Sequence, residues 1–200
     1  MLASLSPAAA GLDRRAAIAA LLARRRDLLL VTGLGSTSWD AASLGDDDRN
    51  FYLWGAMGAA ATVGLGLALA QPRRRVLVVT GDGEMLMGLG ALATIAAMRP
   101  ANLAIAVFDN GRYGETGMQE SHTAAGVALA GIARACGFAE VFDIAETGVL
   151  AAFADRLAEP GGPLFARVAI AANEAPRVLP PRDGALLKRR FRRALGIEQG

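Results

Sequence analysis

Cysteine and histidine are nearly absent from this sequence, whose 200 residues include one of each, Cys136 and His122. A single cysteine excludes a disulfide framework within the chain, and the two residues together provide too few ligands for a zinc cluster. We therefore expect the protein to work in a reducing compartment, the cytoplasm.

An excess of charge of either sign is also lacking, because 21 Lys and Arg residues stand against 19 Asp and Glu residues, for a formal net charge of +2. Such a balance provides no strong electrostatic field for nucleic acid. The basic residues concentrate near the C-terminus, at Lys188, Arg189, Arg190, Arg192 and Arg193. We interpret this cluster as a solvated helix face, with contact to a partner subunit or an anionic ligand as the alternative.

Long apolar segments are scarce, and the N-terminus lacks the basic and apolar regions of a secretory signal. Residues 51–70 are long enough and apolar enough to cross a bilayer. The glycines at the start of this segment, and the strand pattern that follows it, favour instead a buried helix of an α/β core. We expect no membrane span.

Aromatic residues make up only 6% of the chain, and short apolar runs alternate with segments of helical periodicity. This alternation predicts an α/β domain over residues 1–200, with a mostly parallel sheet and helices on both faces. A Pro-rich tail and a basic terminal helix are predicted from residue 173, and a loop at 33–38. The predicted strands are 27–32, 76–80, 103–108, 140–143 and 164–169. The predicted helices are 13–26, 59–70, 85–98, 124–136 and 147–158.

Two polar motifs follow neighbouring predicted strands. Asp82 comes directly after the strand 76–80, and Asn110 directly after the strand 103–108. A parallel strand-helix-strand unit brings such positions together at the carboxyl edge of the sheet, where ligands bind. A carboxylate and an amide oxygen form a hard-oxygen pair that suits Mg²⁺ or Ca²⁺.

Glycines flank the aspartate of the first motif. Gly81 and Gly83 allow backbone amides to approach an anion, and the N-terminus of a helix beginning near Met85 favours phosphate. Each motif by itself is a common turn. Together, with one helix between them, they predict a metal–diphosphate site.

The run from Gly81-Asp82-Gly83 to Asp109-Asn110 resembles the diphosphate motif of thiamine-diphosphate-dependent enzymes. The resemblance implies that Asp82, Asn110 and the backbone carbonyl of Arg112 hold Mg²⁺. Tyr113-Gly114 also matches the family pattern, and these two residues would lie against the cofactor.

A second stretch, Gly55-Ala56-Met57-Gly58, resembles the family's loop that grips the aminopyrimidine ring. By that likeness Met57 wedges beneath the folded cofactor, and the Gly55 carbonyl and the Met57 amide bond the ring. Met57 taken alone indicates ordinary core packing. Ser36 resembles the hydroxyl that contacts the diphosphate.

Three residues depart from the family pattern. Glu84 stands where serine or alanine is usual, so we expect it to offer only its backbone N–H to the cofactor and to turn its carboxylate away. Asp109 replaces a frequent asparagine and leaves the metal ligands intact. Met118 replaces a glycine near the expected substrate position, which bears on substrate identity.

The resemblance covers about residues 13–195 but only the diphosphate-binding module of the family. It implies a partner α subunit whose pyrimidine-binding module carries the glutamate that activates the cofactor, and hence a hetero-oligomer. The stretches 50–58 and 109–119 resemble decarboxylases of sulfopyruvate and phosphonopyruvate. The predicted reaction is therefore decarboxylation of a small 2-oxo acid to an aldehyde and CO₂.

Three alternatives are a carboligase subunit similar to acetolactate synthase, a non-catalytic cofactor-binding subunit, and a generic nucleotide-binding protein. The glycine-rich turn lacks the lysine of an ordinary P-loop, which disfavours the last. His122, downstream of the predicted metal ligands Asn110 and Arg112, is a candidate catalytic residue, as a proton donor or an anion contact. A surface or interface histidine is the equal alternative.

Overall fold

A parallel β-sheet forms the centre of the protein, for which the structure, a computed structural model, describes residues 11–197. Eight strands occur in these residues: β1 (Leu29–Thr32), β2 (Asn50–Tyr52), β3 (Val76–Gly81), β4 (Leu103–Asp109), β5 (Arg112–Tyr113), β6 (Gln119–Glu120), β7 (Glu140–Ile144) and β8 (Leu164–Ala169). Six of them form one wholly parallel sheet in the order β2-β1-β3-β4-β8-β7, and β5 and β6 pair as a separate antiparallel hairpin.

Helices cover both faces of the sheet. In residues 11–197 they are α1 (Arg14–Leu22), α2 (Ser36–Ser43), α3 (Ala60–Ala70), α4 (Asp82–Met87), α5 (Ala91–Met98), α6 (Leu129–Cys136), α7 (Thr147–Leu157) and α8 (Gly184–Ala194). One hydrophobic cluster joins the sheet to α1, α2 and α7, and a second joins it to α3, α5 and α6. The predicted α/β class is confirmed.

The strands are apolar along their whole length because both of their faces are covered. All seven residues of β4 are buried. Along β3, Leu77 and Val79 belong to one cluster, whereas Val76 and Val78 belong to the other. This alternation is the two-residue period of a strand, and burial on both faces is what distinguishes a parallel sheet from a half-exposed antiparallel one.

The loop predicted at 33–38 is shorter than expected, because α2 begins at Ser36. Thr37 Oγ1 and Ser38 Oγ both donate to the Gly33 carbonyl, at 3.2 and 2.7 Å. These hydroxyls, which suggested a loop, therefore stabilise the first turn of a helix. Strand β2, which was not predicted, is only three residues long and pairs with β1 at one edge of the sheet.

The single helix predicted at 85–98 is two helices, and the first begins earlier, at Asp82. The break falls at Gly88, where a Cβ atom would lie 2.0 Å from the Gly58 carbonyl oxygen. The helix predicted at 124–136 begins only at Leu129. The preceding residues form turns, in which Ala124 N donates to Ser121 O at 3.1 Å.

The Pro-rich segment after β8, residues 171–183, crosses the carboxyl edge of the sheet, and we call it the C-terminal strap. Arg177 stacks on Trp39, 4.7 Å from the ring centroid, and Arg182 stacks on Trp54 at 5.3 Å. Trp54 Nε1 donates to the Pro181 carbonyl at 2.8 Å. The strap is therefore held at two points by indole rings.

No helix within residues 11–197 is both long enough and apolar enough to cross a membrane. The segment 51–70, which the sequence offered as a possible span, divides into β2, a loop and α3. Residues 1–10, which contain most of the N-terminal segment that lacks a signal pattern, lie outside the described residues, as do residues 198–200.

An ion pair fixes helix α8 to the loop between α2 and β2. Arg190, which is buried, donates from both Nη atoms to Asp46, with Nη2 2.9 Å from Oδ1. Tyr52 also donates to Asp46 Oδ1, at 3.1 Å. Burial would raise the pKa of Asp46, but hydrogen bonding to Arg190 and its positive charge outweigh burial and lower that pKa.

We expect Asp46→Asn to lower the free energy of unfolding by about 1 kcal/mol at neutral pH, because the pair is only partly screened by solvent. A carboxyl with a lowered folded pKa stabilises the fold above its unfolded pKa and loses that effect as pH falls through the folded value. The difference from wild type should therefore be full at neutral pH and shrink as the pH falls below the ordinary pKa of an aspartate toward the lowered pKa of folded Asp46. Urea titrations at several pH values measure it. Asp48→Asn, on an exposed neighbour, is the control, and an equal loss in both variants would contradict the assignment.

Candidate functional site

A cavity of 320 Å³ opens at the carboxyl edge of the sheet, beyond β1, β3 and β4. It is lined by most of the residues that the sequence nominated. These are Ser36, Met57, Gly81, Asp82, Gly83, Glu84, Asn110, Arg112, Tyr113 and Gly114. Gly55 and His122 do not line it.

The strand register explains why the two motifs meet. Gly81 is paired with Phe108 across β3 and β4, so Asp82 and Asn110 leave adjacent strands at nearly the same level. Asp82 is the first residue of α4, and Gly81 before it has an extended backbone. The abrupt change from strand to helix directs the Asp82 side chain to the sheet edge.

Asp82 is a buried carboxylate, 2% exposed, that accepts hydrogen bonds from two hydroxyls. Ser121 and Thr123 both donate to its Oδ2, the latter at 3.1 Å. Within residues 11–197, no Lys, Arg or His forms an ion pair with it. Burial, and next the negative charge of Asp109, raise the pKa of Asp82 despite these hydrogen bonds.

A second buried carboxylate, Asp109, lies beside the first. Thr123 Oγ1 is 2.7 Å from Asp109 Oδ1 as well as 3.1 Å from Asp82 Oδ2, so one hydroxyl proton lies between two carboxylates. Arg167 Nε donates to Asp109 Oδ2 at 2.7 Å and compensates that charge. The charge of Asp82 is left without a matching cation in the described chain.

Asn110 holds the turn that follows β4. Its Oδ1 accepts from the Arg112 backbone N–H at 3.0 Å, and Ser121 N donates to the Gly111 carbonyl at 2.8 Å. The second bond closes the β5-β6 hairpin and returns the chain to Asp82. The same hairpin places Arg112 and Tyr113 in the cavity wall.

Gly83 has no space for a side chain. A Cβ atom there would lie 2.4 Å from Tyr113 Cε1, so the aromatic ring rests directly on the backbone of α4. This contact joins the first motif to the hairpin that follows the second motif.

Glu84 is also buried, and its carboxylate contacts Thr80 in β3, the start of α3 and the chain at Gly33. It accepts from Thr80 Oγ1 at 2.9 Å and from Ala60 N, at the start of α3, at 3.4 Å. A Cβ atom at Gly33 would lie 1.6 Å from Glu84 Oε2. Burial raises the pKa of Glu84 above its ordinary value. Hydrogen bonds from the Thr80 hydroxyl and from the backbone N–H groups of Ala60, Leu34 and Gly58 offset only part of this rise.

The remaining nominated residues take different positions. Met57 is 39% exposed in the cavity wall, although methionine commonly packs in a core, and Ser36 begins α2. Gly55, two residues before Met57 in the chain, is exposed. His122 is exposed, with Nδ1 3.4 Å from the hydroxyl of Tyr113, so it touches the site only through that ring. Its catalytic role stays a prediction.

The donor set at the cavity edge suits a hard divalent cation. A carboxylate, an amide oxygen and a backbone carbonyl are oxygen ligands, which Mg²⁺ prefers. Residues 11–197 contain no group of three His, Cys, Asp or Glu side chains arranged for a metal. A cation here would therefore need the neutral oxygens of Asn110 and Arg112 and an oxygen-rich ligand. It would also offset the uncompensated charge of Asp82.

Several residues of the site were not apparent from the sequence. Ser121 and Thr123 flank His122, and their hydroxyls are brought to Asp82 only by the hairpin. Arg14 and Trp39 also line the cavity, from α1 and α2. Nothing in the spacing of these four residues signals a shared site, because long-range folding brings them together.

Comparison with known proteins assigns the family. The model of the C-terminal TPP binding domain of thiamine pyrophosphate enzymes matches residues 33–168, more than half of the chain. The chain therefore belongs to this family, whose cofactor, thiamine pyrophosphate, is thiamine diphosphate. The resemblance seen in the Gly81–Asn110 run is confirmed.

Curated relatives carry related names. A phosphonopyruvate decarboxylase from Streptomyces viridochromogenes is 43% identical over 186 residues, which are 90% of this chain and 45% of that protein. The sulfopyruvate decarboxylase subunit beta of Methanocaldococcus jannaschii is 43% identical over 54% of this chain and 57% of its own. The corresponding subunit of Methanothermobacter thermautotrophicus is 42% identical over 64% and 68%. The chain thus spans about half the length of the first two relatives.

A solved structure has the same fold. It is a protein from Mycobacterium smegmatis described as a thiamin diphosphate-dependent enzyme, with a TM-score of 0.69 over 82% of this chain and 32% of that one. At 22% identity, this likeness concerns the fold alone.

We expect Glu84→Gln to lower the free energy of unfolding by about 1–3 kcal/mol, because the new NH₂ group would face hydrogen-bond donors in a buried position. Urea denaturation of the isolated chain measures the change. Glu159→Gln, at an exposed position, is the matched control and should change stability little. Equal stability of Glu84→Gln and wild type would mean that the carboxylate does not hold these loops.

Proposed function

We propose that this chain is the diphosphate-binding β subunit of a thiamine-diphosphate- and Mg²⁺-dependent decarboxylase of a small 2-oxo acid. The observation that carries the proposal is the buried carboxylate of Asp82, which lacks a cation partner within residues 11–197 and shares the cavity with Asn110. The names of the curated relatives support a substrate of the sulfopyruvate or phosphonopyruvate type, and an aldehyde and CO₂ as products.

Asp82, Asn110 and the Arg112 carbonyl would hold Mg²⁺. The diphosphate would lie against Ser36 and against the backbone of the residues around the metal loop, Gly81, Gly83, Glu84, Tyr113 and Gly114. Glu84 fits this role with its backbone only, because its carboxylate is already bonded to Thr80 and Ala60. Met57 would support the bent cofactor, and Gly55 would bond its pyrimidine ring.

When bound, thiamine diphosphate would supply the nucleophile and the electron sink that decarboxylation of a 2-oxo acid requires. The residues of this chain bind and orient. The hydrogen bonds from Ser121 and Thr123 favour the ionised form of the Asp82 carboxylate and orient it, and Met57 and Met87 contribute apolar surface to the cavity wall. His122 would donate a proton or contact an anionic group through its position beside Tyr113.

A second module completes the proposed enzyme. A pyrimidine-binding α subunit would supply the activating glutamate, and the functional particle would be a hetero-oligomer. The name "subunit beta" of the archaeal relatives supports this division. We further propose a cytoplasmic protein that forms one domain over residues 1–200, with neither a nucleic-acid nor a membrane partner.

Product analysis distinguishes the proposed reaction from its alternatives. The complex should release an aldehyde and CO₂ from sulfopyruvate or phosphonopyruvate. Formation of acetolactate from pyruvate would instead identify a carboligase. Cofactor binding without turnover of any of these acids would identify a non-catalytic subunit.

We expect Asp82→Asn to weaken Mg²⁺-dependent binding of thiamine diphosphate by more than about 100-fold, because loss of a metal ligand exceeds the effect of losing an outer-shell partner. Calorimetry on the complex with the pyrimidine-binding chain measures the affinity. Wild-type chain alone should bind weakly or not at all, since half of the site is absent.

Asp155→Asn, which alters an exposed ion pair with Arg24 remote from the cavity, is the control for this experiment and should retain full affinity. Unchanged affinity in Asp82→Asn would refute the metal assignment. Tight binding by the isolated chain would refute the need for a second module.

A further inference from the structure

One corner of the cavity is rich in hydrogen-bond donors that the cofactor assignment does not use. Arg14, at the start of α1, is only 6% exposed and lines the cavity. Trp39, from α2, lies in the same wall. Arg177 of the C-terminal strap stacks on the Trp39 ring and also lines the cavity. We call these three residues the donor corner.

Arg14 is held in place by one nitrogen and offers the others. Its Nε donates to Asp40 Oδ2 at 2.5 Å, and Asp40 is 1% exposed. Within residues 11–197 the two Nη atoms form no hydrogen bond, although the side chain is nearly buried. A guanidinium fixed through Nε presents a rigid pair of donors, which is the geometry that binds oxyanions.

Trp39 provides a second free donor. Its indole Nε1 is buried and has no hydrogen-bond partner in the described chain. Buried donors without an acceptor cost free energy, and those at a cavity wall commonly find their acceptor in a ligand. Two unpartnered donors in one corner therefore point to a ligand that brings several acceptor oxygens.

The donor corner is positively charged, as an anionic ligand requires. Arg15 also approaches Asp40, at 3.6 Å, so one aspartate is shared by two arginines. Arg177 adds a further positive charge. Besides Asp40, the acids in the cavity wall are Asp82 and Glu84, which belong to the proposed metal and diphosphate site, Glu115, whose carboxylate lies against Gly35, and the exposed Glu174.

We propose that Arg14 and the Trp39 indole N–H bind a tetrahedral oxyanion at the far end of the substrate, so that they select a 2-oxo acid with a second anionic group. This inference rests on the proposed function, which supplies the 2-oxo acid. The two Nη groups donate hydrogen bonds to two oxygens of a sulfonate or phosphonate, and the indole N–H donates to the third. Pyruvate has no group that reaches these donors.

Calorimetry on the complex with the pyrimidine-binding chain tests the subsite without turnover. Phosphonoacetate and sulfoacetate are the probes, and acetate at equal ionic strength is the reference. We expect Arg14→Lys and Trp39→Phe each to weaken phosphonoacetate binding by about tenfold. Arg14→Lys keeps a positive partner for Asp40, and thermal unfolding checks that both variants fold. Arg24→Gln, at an exposed arginine, is the control and should bind as wild type does.

Thiamine diphosphate affinity, measured on the same samples, shows whether the donor corner binds an oxyanion of the substrate or the diphosphate of the cofactor. Unchanged cofactor affinity in Arg14→Lys and Trp39→Phe supports a substrate subsite. A parallel loss of cofactor and phosphonoacetate affinity would overturn it and assign the corner to the cofactor diphosphate. Unaltered phosphonoacetate binding in both variants would overturn it as well.

Steady-state kinetics give an independent reading. In Arg14→Lys we expect the KM for phosphonopyruvate to rise by about tenfold with little change in kcat, and kcat/KM for pyruvate to stay unchanged. An equal loss for both acids would overturn the selectivity role. If wild-type complex binds no thiamine diphosphate, the proposed function fails, whereas phosphonoacetate binding that depends on Arg14 would still support the oxyanion subsite.

Discussion

The proposed metal site depends on one carboxylate, Asp82, being charged inside the protein. Burial and the neighbouring Asp109 both oppose its ionisation, whereas the hydroxyls of Ser121 and Thr123 and a backbone N–H donate hydrogen bonds that favour it. Much of the local architecture serves this purpose. The β5-β6 hairpin brings Ser121 and Thr123 to the carboxylate, and the ion pair between Arg167 and Asp109 weakens the repulsion between the two acids. A group that is costly to bury and lacks a protein cation is typical of a position that a ligand completes.

The fold was largely predictable because a parallel sheet leaves a simple pattern in the sequence. Runs such as Val76–Thr80 and Leu103–Phe108 are apolar throughout, since both of their faces are covered. The elements that escaped prediction are those whose form depends on distant residues. Strand β2 is too short to show a period, and the break between α4 and α5 arises where Gly88 meets the backbone of Gly58. Helix α2 was missed because its hydroxyl residues bond to Gly33 instead of forming a loop.

The residues of the candidate site likewise fall into those that the sequence predicted and those that it did not. Asp82, Asn110 and the glycines beside them were accessible from the sequence because each follows a strand at a known edge, and the family motif placed Met57 and Ser36 with them. The hydroxyls on Asp82 and the donors at Arg14 and Trp39 were not accessible. These residues come from a hairpin and from α1 and α2, and only the tertiary fold brings them to the cavity. Glu84 is intermediate, since its departure from the family pattern was visible but its bonds to Thr80 and Ala60 were not.

The C-terminal helix has a further consequence through its place at the edge of the sheet. Strand β2 is the outermost strand beside β1, and α8 packs against it, with the rings of Phe51 and Phe191 5.2 Å apart. An uncovered edge strand invites pairing with the edge of another molecule. By packing against β2, α8 covers part of the apolar surface of this edge strand. Shortened forms of the protein that lack α8 would therefore be limited by aggregation before they were limited by catalysis.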